Sequence, residues 1–142
     1  MTAKTILVII GDTHIGSSTA LAPPTFIIHN QHTLEEQLVN HNRLQQWLWG
    51  CWIDFWDYVR LLAYEGGKRR KNRIVVVHLG DVIDGNHHKT MQIIQDPLDQ
   101  AQVALDILQP IIDMSDAFFG VIGTGAHGGE SGSDEVSIYK AL

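Results

Sequence analysis

The chain has 142 residues, a net charge of −6 and a pI of about 5.6. Its 44% hydrophobic and 18% charged residues suit one globular domain and exclude a disordered tail, a collagen-like repeat and a coiled-coil rod. There is no apolar run of about 18 residues and no signal-peptide pattern, so we expect no membrane partner and a cytoplasmic location. The single cysteine, Cys51, excludes an internal disulfide and fits a reducing compartment.

The acidic charge argues against indiscriminate coating of nucleic acid. Five of the ten basic residues nevertheless fall in one run between positions 68 and 73. This run precedes a predicted strand, so we expect it at the sheet edge opposite the strand ends that carry the candidate site. A solvated loop is the favoured interpretation there, with a phosphate-contacting patch as the alternative.

Three short apolar runs predict buried strands, at Ile6–Ile10, Ile74–Val77 and Phe118–Ile122. Each run is nearly continuous and rich in Val, Ile or Phe, which is typical of parallel strands covered on both faces. Residues 15–32, which follow the first strand, are expected to form a long loop. Loops of that length are usually functional or mobile.

A long helix is predicted over about Leu34–Tyr64, with Thr33 and Glu36 as its capping box. Apolar residues recur there every three or four positions, and the glycine pair at 66–67 ends the pattern. Cys51 falls within the apolar stripe and is expected in the core. The same expectation applies to the four tryptophans, Trp47, Trp49, Trp52 and Trp56.

A second helix is predicted to begin at Asp96 and Pro97 and to bend or end at Pro110. Ser133 is the expected cap of a last helix that reaches Leu142. Strands and helices therefore alternate along the chain. This order predicts an α/β fold with a central, mostly parallel sheet flanked by helices.

Polar side chains and glycines follow each predicted strand, at Gly11–His14, Gly80–His88 and Gly123–Glu130. In an open α/β sheet, ligands bind beyond the carboxyl ends of the strands. Each of these loops alone is a weak signal, because Gly-Asp turns and loop histidines are common. Their shared position at one sheet edge is a stronger indication of a functional site.

Carboxylates combined with imidazoles suit manganese, iron or zinc better than calcium. Asp12 and His14 are two residues apart on chain that is expected to be extended, so their side chains should point to the same side and reach one ion. Asp81, leaving a neighbouring strand, is placed to bridge that ion to a second. Two metal ions about 3.5–4 Å apart form a clamp suited to displacement at phosphorus.

Two motifs carry a resemblance to a known family. Asp12-Thr13-His14 resembles the D-x-H first motif of the calcineurin-like metallophosphoesterases, and Gly80–Asp84 resembles their GDxxD second motif. With the sequences WLWGCWIDFW, GDVIDGNHH and GTGAHGG, the chain is similar to the phage-borne branch of that superfamily. The resemblance spans nearly the whole chain but only the N-terminal half of a usual domain.

The resemblance implies that Asp12 and His14 bind a first metal ion and that Asp81 bridges to a second. His127 would act near the leaving group, and Asp84 would orient its neighbours by hydrogen bonds. The implied cofactors are two divalent ions, with manganese favoured and iron, zinc or nickel as alternatives. The implied fold is half of a metallophosphoesterase-type α/β sandwich, in a C-terminally truncated domain.

The third motif of the family normally supplies an asparagine to the second metal ion, whereas Thr124 or Ala126 stands here. Additional ligands, or side chains that support ligands, are therefore sought among Thr124, Asn86, His87 and His88. The Gly-His-x-His motif that closes the family's site is absent from this sequence. Its ligands are expected from a homo-oligomer or from a completing C-terminal segment.

The leading prediction is a hydrolase that cleaves phosphodiester or phosphomonoester bonds with metal-activated water. Fold and motif do not select the substrate, although the phage-like character favours nucleic acid or nucleotides. The expected location is the cytoplasm of a bacterium or of a phage-infected host cell. The rival prediction is a non-catalytic metal-binding or assembly module that lacks a complete second metal site.

Overall fold

The computed structural model describes residues 3–30, 32–65, 67–86, 91–125 and 133–142. Its elements in chain order are β1 (Thr5–Ile10), β2 (Thr25–His29), β3 (Glu36–Asn40), α1 (Arg43–Tyr64), β4 (Arg73–His78), α2 (Pro97–Met114), β5 (Ala117–Gly120) and α3 (Ser133–Ala141). The three predicted strands are confirmed as β1, β4 and β5, although β5 ends at Gly120 rather than at Ile122.

The main sheet has three parallel strands in the order β1-β4-β5, which confirms the predicted α/β class. Helix α1 connects β1 to β4, and α2 connects β4 to β5. Both connections step across the sheet in the same direction, so crossovers of one hand place both helices on one face. On that face, strand residues Val8, Ile74 and Val76 pack with Trp56 of α1 and Ile111 of α2.

The opposite face of the sheet is apolar and exposed. Leu7 and Ile9 of β1 are 60% and 58% exposed, and Phe119 of β5 is 57% exposed. The register aligns Ile9 with Val77 and Val77 with Phe119, so these side chains share one surface. Parallel sheets normally have both faces covered. The described helices cover this sheet on one face, so the predicted cover of both faces is wrong for the part of the chain that the structure describes.

The predicted start of the first helix is wrong. Residues 36–40 form β3, which pairs antiparallel with β2 in a two-stranded sheet, and α1 begins only at Arg43. The long loop predicted at 15–32 likewise contains β2. The capping box consists of Asn42 and Gln45 rather than Thr33 and Glu36: Gln45 N–H donates to Asn42 Oδ1, and Asn42 N–H donates to Gln45 Oε1.

The predicted burial of the α1 stripe is also partly wrong. Trp56 is buried, and Trp49 and Trp52 are partly buried against the core, as expected, but Trp47 is 65% exposed. Cys51 is exposed and not a core residue. Cys51 lies roughly a third of a turn around the helix axis from the buried face, because α1 meets the sheet along Trp56, Val59 and Ala63.

Helix α2 begins as predicted, with the Asp96 carboxylate accepting from Leu98 N–H and Pro97 in the first turn. Pro110 does not end it, because the helix continues to Met114. Helix α3 begins at Ser133 and packs against α2 through Ile138. A second core cluster joins these two helices to the loops that follow β1 and β4.

The basic run lies between α1 and β4, at the edge opposite the carboxyl ends of the strands, as predicted. Arg70 holds this corner together: it forms an ion pair with Asp116 and donates to the carbonyl oxygens of Asn72 and Met114. Among the described residues, none of the helices combines the length and the apolar character needed to cross a bilayer.

Candidate metal centre

The loops that follow β1 and β4 run side by side and continue the pairing of the parallel strands. Asp12 N–H donates to the Gly80 carbonyl at 3.1 Å, and His14 N–H donates to the Asp81 carbonyl at 3.0 Å. A bridge between Ile15 and Ile83 extends the contact, and both isoleucines are completely buried. The two sequence motifs are therefore fixed against each other by backbone hydrogen bonds and by core packing.

This arrangement brings Asp12, His14 and Asp81 together. One ligand atom from each lies within 4.8 Å of the other two, and within the described ranges these residues form the one such group. His14 Nε2 is 3.6 Å from Asp12 Oδ1. The Asp12 side chain is 79% exposed and that of His14 26%, whereas Asp81 is buried, so the group opens to solvent on one side.

All three residues have left-handed backbone conformations, so the extended chain predicted through Asp12 and His14 is wrong. Their φ angles are +53° for Asp12, +42° for His14 and +53° for Asp81. In the described part of the chain, Leu34 and Glu65 are the other non-glycine residues with positive φ. Such conformations cost about 1–2 kcal/mol per residue and concentrate at functional sites. Here the strained backbone belongs to the three residues whose side chains converge.

The third loop fixes the Asp81 carboxylate. Thr124 donates twice to Asp81 Oδ1, from its backbone N–H at 2.8 Å and from its hydroxyl at 3.0 Å. The approach is close because both facing residues are glycines: a Cβ at Gly80 would lie 2.3 Å from Gly123 backbone atoms, and one at Gly123 would lie 2.3 Å from Asp81 N. Thr124 therefore contacts a candidate ligand and orients it.

Glu135 of α3 connects the second and third loops and was not singled out as a site residue from the sequence. It is completely buried; Val82 N–H donates to its Oε1 at 2.8 Å, and Gly123 N–H donates to its Oε2 at 2.6 Å. The sequence places this acid in the first turn of a helix, where carboxylates are common for reasons of the helix dipole. Only the packing of α3 shows that Glu135 also connects the second and third loops.

His78, the last residue of β4, is a buried histidine beneath the site. Gly80 N–H donates to its Nδ1, which leaves Nε2 as the protonated nitrogen facing Thr13 Oγ1 at 3.4 Å. The Thr13 hydroxyl in turn donates to the Val82 carbonyl. Burial lowers the pKa of His78 to about 4, so the ring is neutral at physiological pH and serves as a fixed hydrogen-bonding spacer.

The remaining predicted site residues divide into two groups. Asp84 is buried, lies outside the group of three and accepts from Gln92 Nε2 at 2.8 Å, while Asn86 is exposed. The others lie outside the described residues: His87, His88, Ala126 and His127. The predicted roles of the histidines in that second group therefore stay predictions.

The donor set fits a divalent ion of the first transition series. Two carboxylates and one imidazole supply hard oxygen and borderline nitrogen ligands. Thr124 donates two hydrogen bonds to one oxygen of the Asp81 carboxylate. Hydrogen bonds of this kind, made from outside the ligand set, orient metal ligands. No family model, curated protein or solved structure matches the chain. Any function assigned to the site must rest on these residues.

Proposed function

We propose that the chain is a metal-dependent phosphoesterase that hydrolyses phosphodiester or phosphomonoester bonds with water. The convergence of Asp12, His14 and Asp81 on strained backbone, at the carboxyl ends of two parallel strands, carries the proposal. The resemblance of their motifs to the calcineurin-like metallophosphoesterases supports the same reaction. That resemblance would make nucleic acid or a nucleotide one candidate substrate.

Asp12, His14 and Asp81 are the residues that would hold a first ion, for which manganese is our first choice. A second ion would need further ligands, for which the sequence offers Thr124, Asn86, His87 and His88. The predicted role of His127 is to act near the leaving group. When bound, a divalent ion withdraws charge from phosphoryl oxygens and makes water a better nucleophile.

Thr124 and Glu135 would position the candidate metal ligands and would not themselves react with the substrate. Thr124 fixes the Asp81 carboxylate by two hydrogen bonds, and Glu135 ties the loop of Thr124 to the loop of Asp81. Groups held in this way need no reorganisation during the reaction, which is how a preorganised site lowers a barrier. The exposed side of Asp12 leaves an approach for a substrate.

We further propose that the three-stranded sheet is one layer of an α/β sandwich. The exposed apolar face that carries Leu7, Ile9 and Phe119 supports this, because a second layer packed on it would bury all three. The same face favours the rival function, an assembly module that binds metal without catalysis. Metal binding and hydrolysis must therefore be measured separately.

The first experiment is a calorimetric titration of the chain with Mn²⁺, repeated on Asp81→Asn. We expect measurable binding that the substitution weakens at least about 10- to 100-fold, because losing a charged ligand should cost at least as much as losing a hydrogen bond that supports one. Asp113→Asn is the matched control, since Asp113 lies on α2 with its carboxylate accepting from Gln109. Equal Mn²⁺ affinity for the wild-type chain and Asp81→Asn would contradict the proposed centre.

The second experiment measures hydrolysis of bis(p-nitrophenyl) phosphate and p-nitrophenyl phosphate with and without Mn²⁺. Metal-dependent release of p-nitrophenol, lost in Asp81→Asn and kept in Asp113→Asn, is the expected result. Mn²⁺ binding at the centre without turnover of either ester would instead support the rival, non-catalytic module.

A further inference from the structure

A cleft of about 750 Å³ opens directly beside the candidate metal centre. Asp12 and His14 line this cleft together with Ile9 and Ile10 of β1 and with four residues of α1. Those α1 residues are apolar or aromatic: Leu48, Cys51, Trp52 and Phe55. The cleft is of the size that accommodates small organic ligands.

The aromatic wall of this cleft is held in place by the core. Trp52 and Phe55 each make an edge-to-face contact with the buried Trp56, with ring centroids 5.4 Å and 5.2 Å apart. Phe55 is nonetheless 40% exposed, so part of its ring is available to a ligand. A rigid aromatic surface of this kind binds other rings with little loss of conformational entropy.

Charge restricts what the cleft can accept. Its described lining includes the acidic side chains of Asp12 and Asp84 and contains neither lysine nor arginine. The basic run at 68–73 lies at the opposite edge of the sheet. A substrate with one phosphoryl group could place it at the metal centre, whereas further phosphates in the cleft would find no basic side chain among the described lining residues. The cleft would therefore disfavour polyphosphates and nucleic-acid backbones.

We propose that this cleft binds an uncharged aromatic group of a substrate that carries a single phosphoester. The phosphoester end rests on the proposed function, whereas the aromatic end rests on the cleft alone. The specificity would thus be for aryl esters of phosphate and not for a nucleic-acid strand. Recognition would come from contact with Phe55 and Trp52.

Cys51 supplies a reporter, because it is the single cysteine of the chain and lines the cleft. Alkylation by iodoacetamide is followed by intact-protein mass spectrometry. Benzyl alcohol, a neutral aromatic probe, is tested on the metal-free chain. At a probe concentration of about ten times Kd, labelling should slow about tenfold, because only the unoccupied protein reacts.

Phe55→Ala should raise the Kd of benzyl alcohol about fivefold, which corresponds to the contribution of one aromatic contact. Tyr58→Ala is the matched control, since Tyr58 is an exposed aromatic residue of α1 that does not line the cleft. Leu48→Ala is a second cleft variant, and circular dichroism checks that all three fold. Equal Kd values for the wild-type chain, Phe55→Ala and Leu48→Ala would overturn the proposal.

The substrate end is tested with phenylphosphonate and methylphosphonate in the presence of Mn²⁺. Stronger protection of Cys51 by phenylphosphonate than by methylphosphonate supports an aromatic phosphoester as the substrate. If benzyl alcohol protects Cys51 and phenylphosphonate with Mn²⁺ protects it no better, the result supports the aromatic site and contradicts the proposed function. Absence of protection by any aromatic probe overturns the inference even if Mn²⁺ binds, and so does better protection by a single-stranded oligonucleotide than by phenylphosphonate.

Discussion

Gly80 shows how a single residue decides whether the site can form. Its φ of +93° and its contact with Gly123 leave no room for a side chain, since an added Cβ would meet backbone atoms at 2.3 Å. That close approach lets Thr124 reach the Asp81 carboxylate. The glycine of the Gly-Asp motif is therefore needed for backbone contact between two loops.

Gly80→Ala should destabilise the chain by at least about 2 kcal/mol, because it adds backbone strain to a steric clash. Urea denaturation measures this, and Mn²⁺ titration should show weaker binding. Gly50→Ala is the control: Gly50 lies within α1, a Cβ there would meet nothing within 4 Å, and we expect a gain of about 0.5–1 kcal/mol. Similar stability for the Gly80 variant and the wild-type chain would contradict the proposed loop contact.

At the scale of elements, β2 is attached to α2 by a histidine–aspartate pair. The His29 ring donates from Nδ1 to Asp99 Oδ1 at 2.7 Å, and His29 N–H donates to Asp99 Oδ2 at the same distance. The hydrogen bond to Asp99 raises the pKa of His29, with smaller contributions from the charges of Asp99, Glu36 and Asp96. The small antiparallel sheet is thus held to the main domain partly by charge.

The pair predicts a pH dependence of stability. Because the pKa of His29 is raised on folding, its stabilising contribution is fully present below pH 6.5 and is lost as the pH rises through the folded-state pKa. His78 does not interfere above pH 7, since its lowered pKa of about 4 affects stability only between about pH 4 and 6.5.

We expect the urea midpoint to fall between pH 7 and pH 9, where His78 makes no opposing contribution, and His29→Gln to reduce that fall. His32→Gln, which changes an exposed histidine on the same connection, is the control. An identical pH profile for the wild-type chain and His29→Gln would show that the pair contributes no pH-dependent stability.

At the scale of the molecule, the main feature is a parallel sheet with helices on one face and exposed apolar residues on the other. Leu7, Ile9 and Phe119 are exposed, uncharged side chains on that second face. Apolar patches of this kind usually mark association sites. Two copies packed face to face would bury the surface symmetrically, as in aligned sheet packing.

We therefore expect the 142-residue chain to self-associate at micromolar concentration, as seen by light scattering. Leu7→Lys combined with Phe119→Lys should shift the chain to monomer, with a loss of stability below about 1 kcal/mol because both side chains are already exposed. Met91→Lys with Leu98→Lys adds the same charge at two exposed sites away from the sheet and should leave association unchanged. A wild-type chain that is monomeric under these conditions would contradict the expectation.

The sequence by itself determined the strands of the main sheet, the start of α2 at Asp96 and Pro97, and the convergence of Asp12, His14 and Asp81. These features depend on local signals: buried strands need continuous apolar runs, and proline and an aspartate cap fix a helix start. Parallel pairing then brings the ends of neighbouring strands together. The left-handed backbone of Asp12, His14 and Asp81 was not predicted from the sequence.

The tertiary structure alone decided where α1 begins and which of its residues are buried. Thr33 with Glu36 and Asn42 with Gln45 have equally plausible capping sequences, but Asn42 and Gln45 also donate to the carbonyl oxygens of Ser18 and Ser17. Those bonds join residues 24 and 28 positions apart, so no local pattern contains them.

The support of the site and the exposure of Cys51 also depend on the tertiary structure. Glu135 reaches Val82 across 53 positions, and the face that α1 turns to the sheet follows from packing with Trp56. Local propensity fixes elements and strand ends. Long-range hydrogen bonds and packing decide which competing local structure forms, because their free energies exceed the small differences between two acceptable caps.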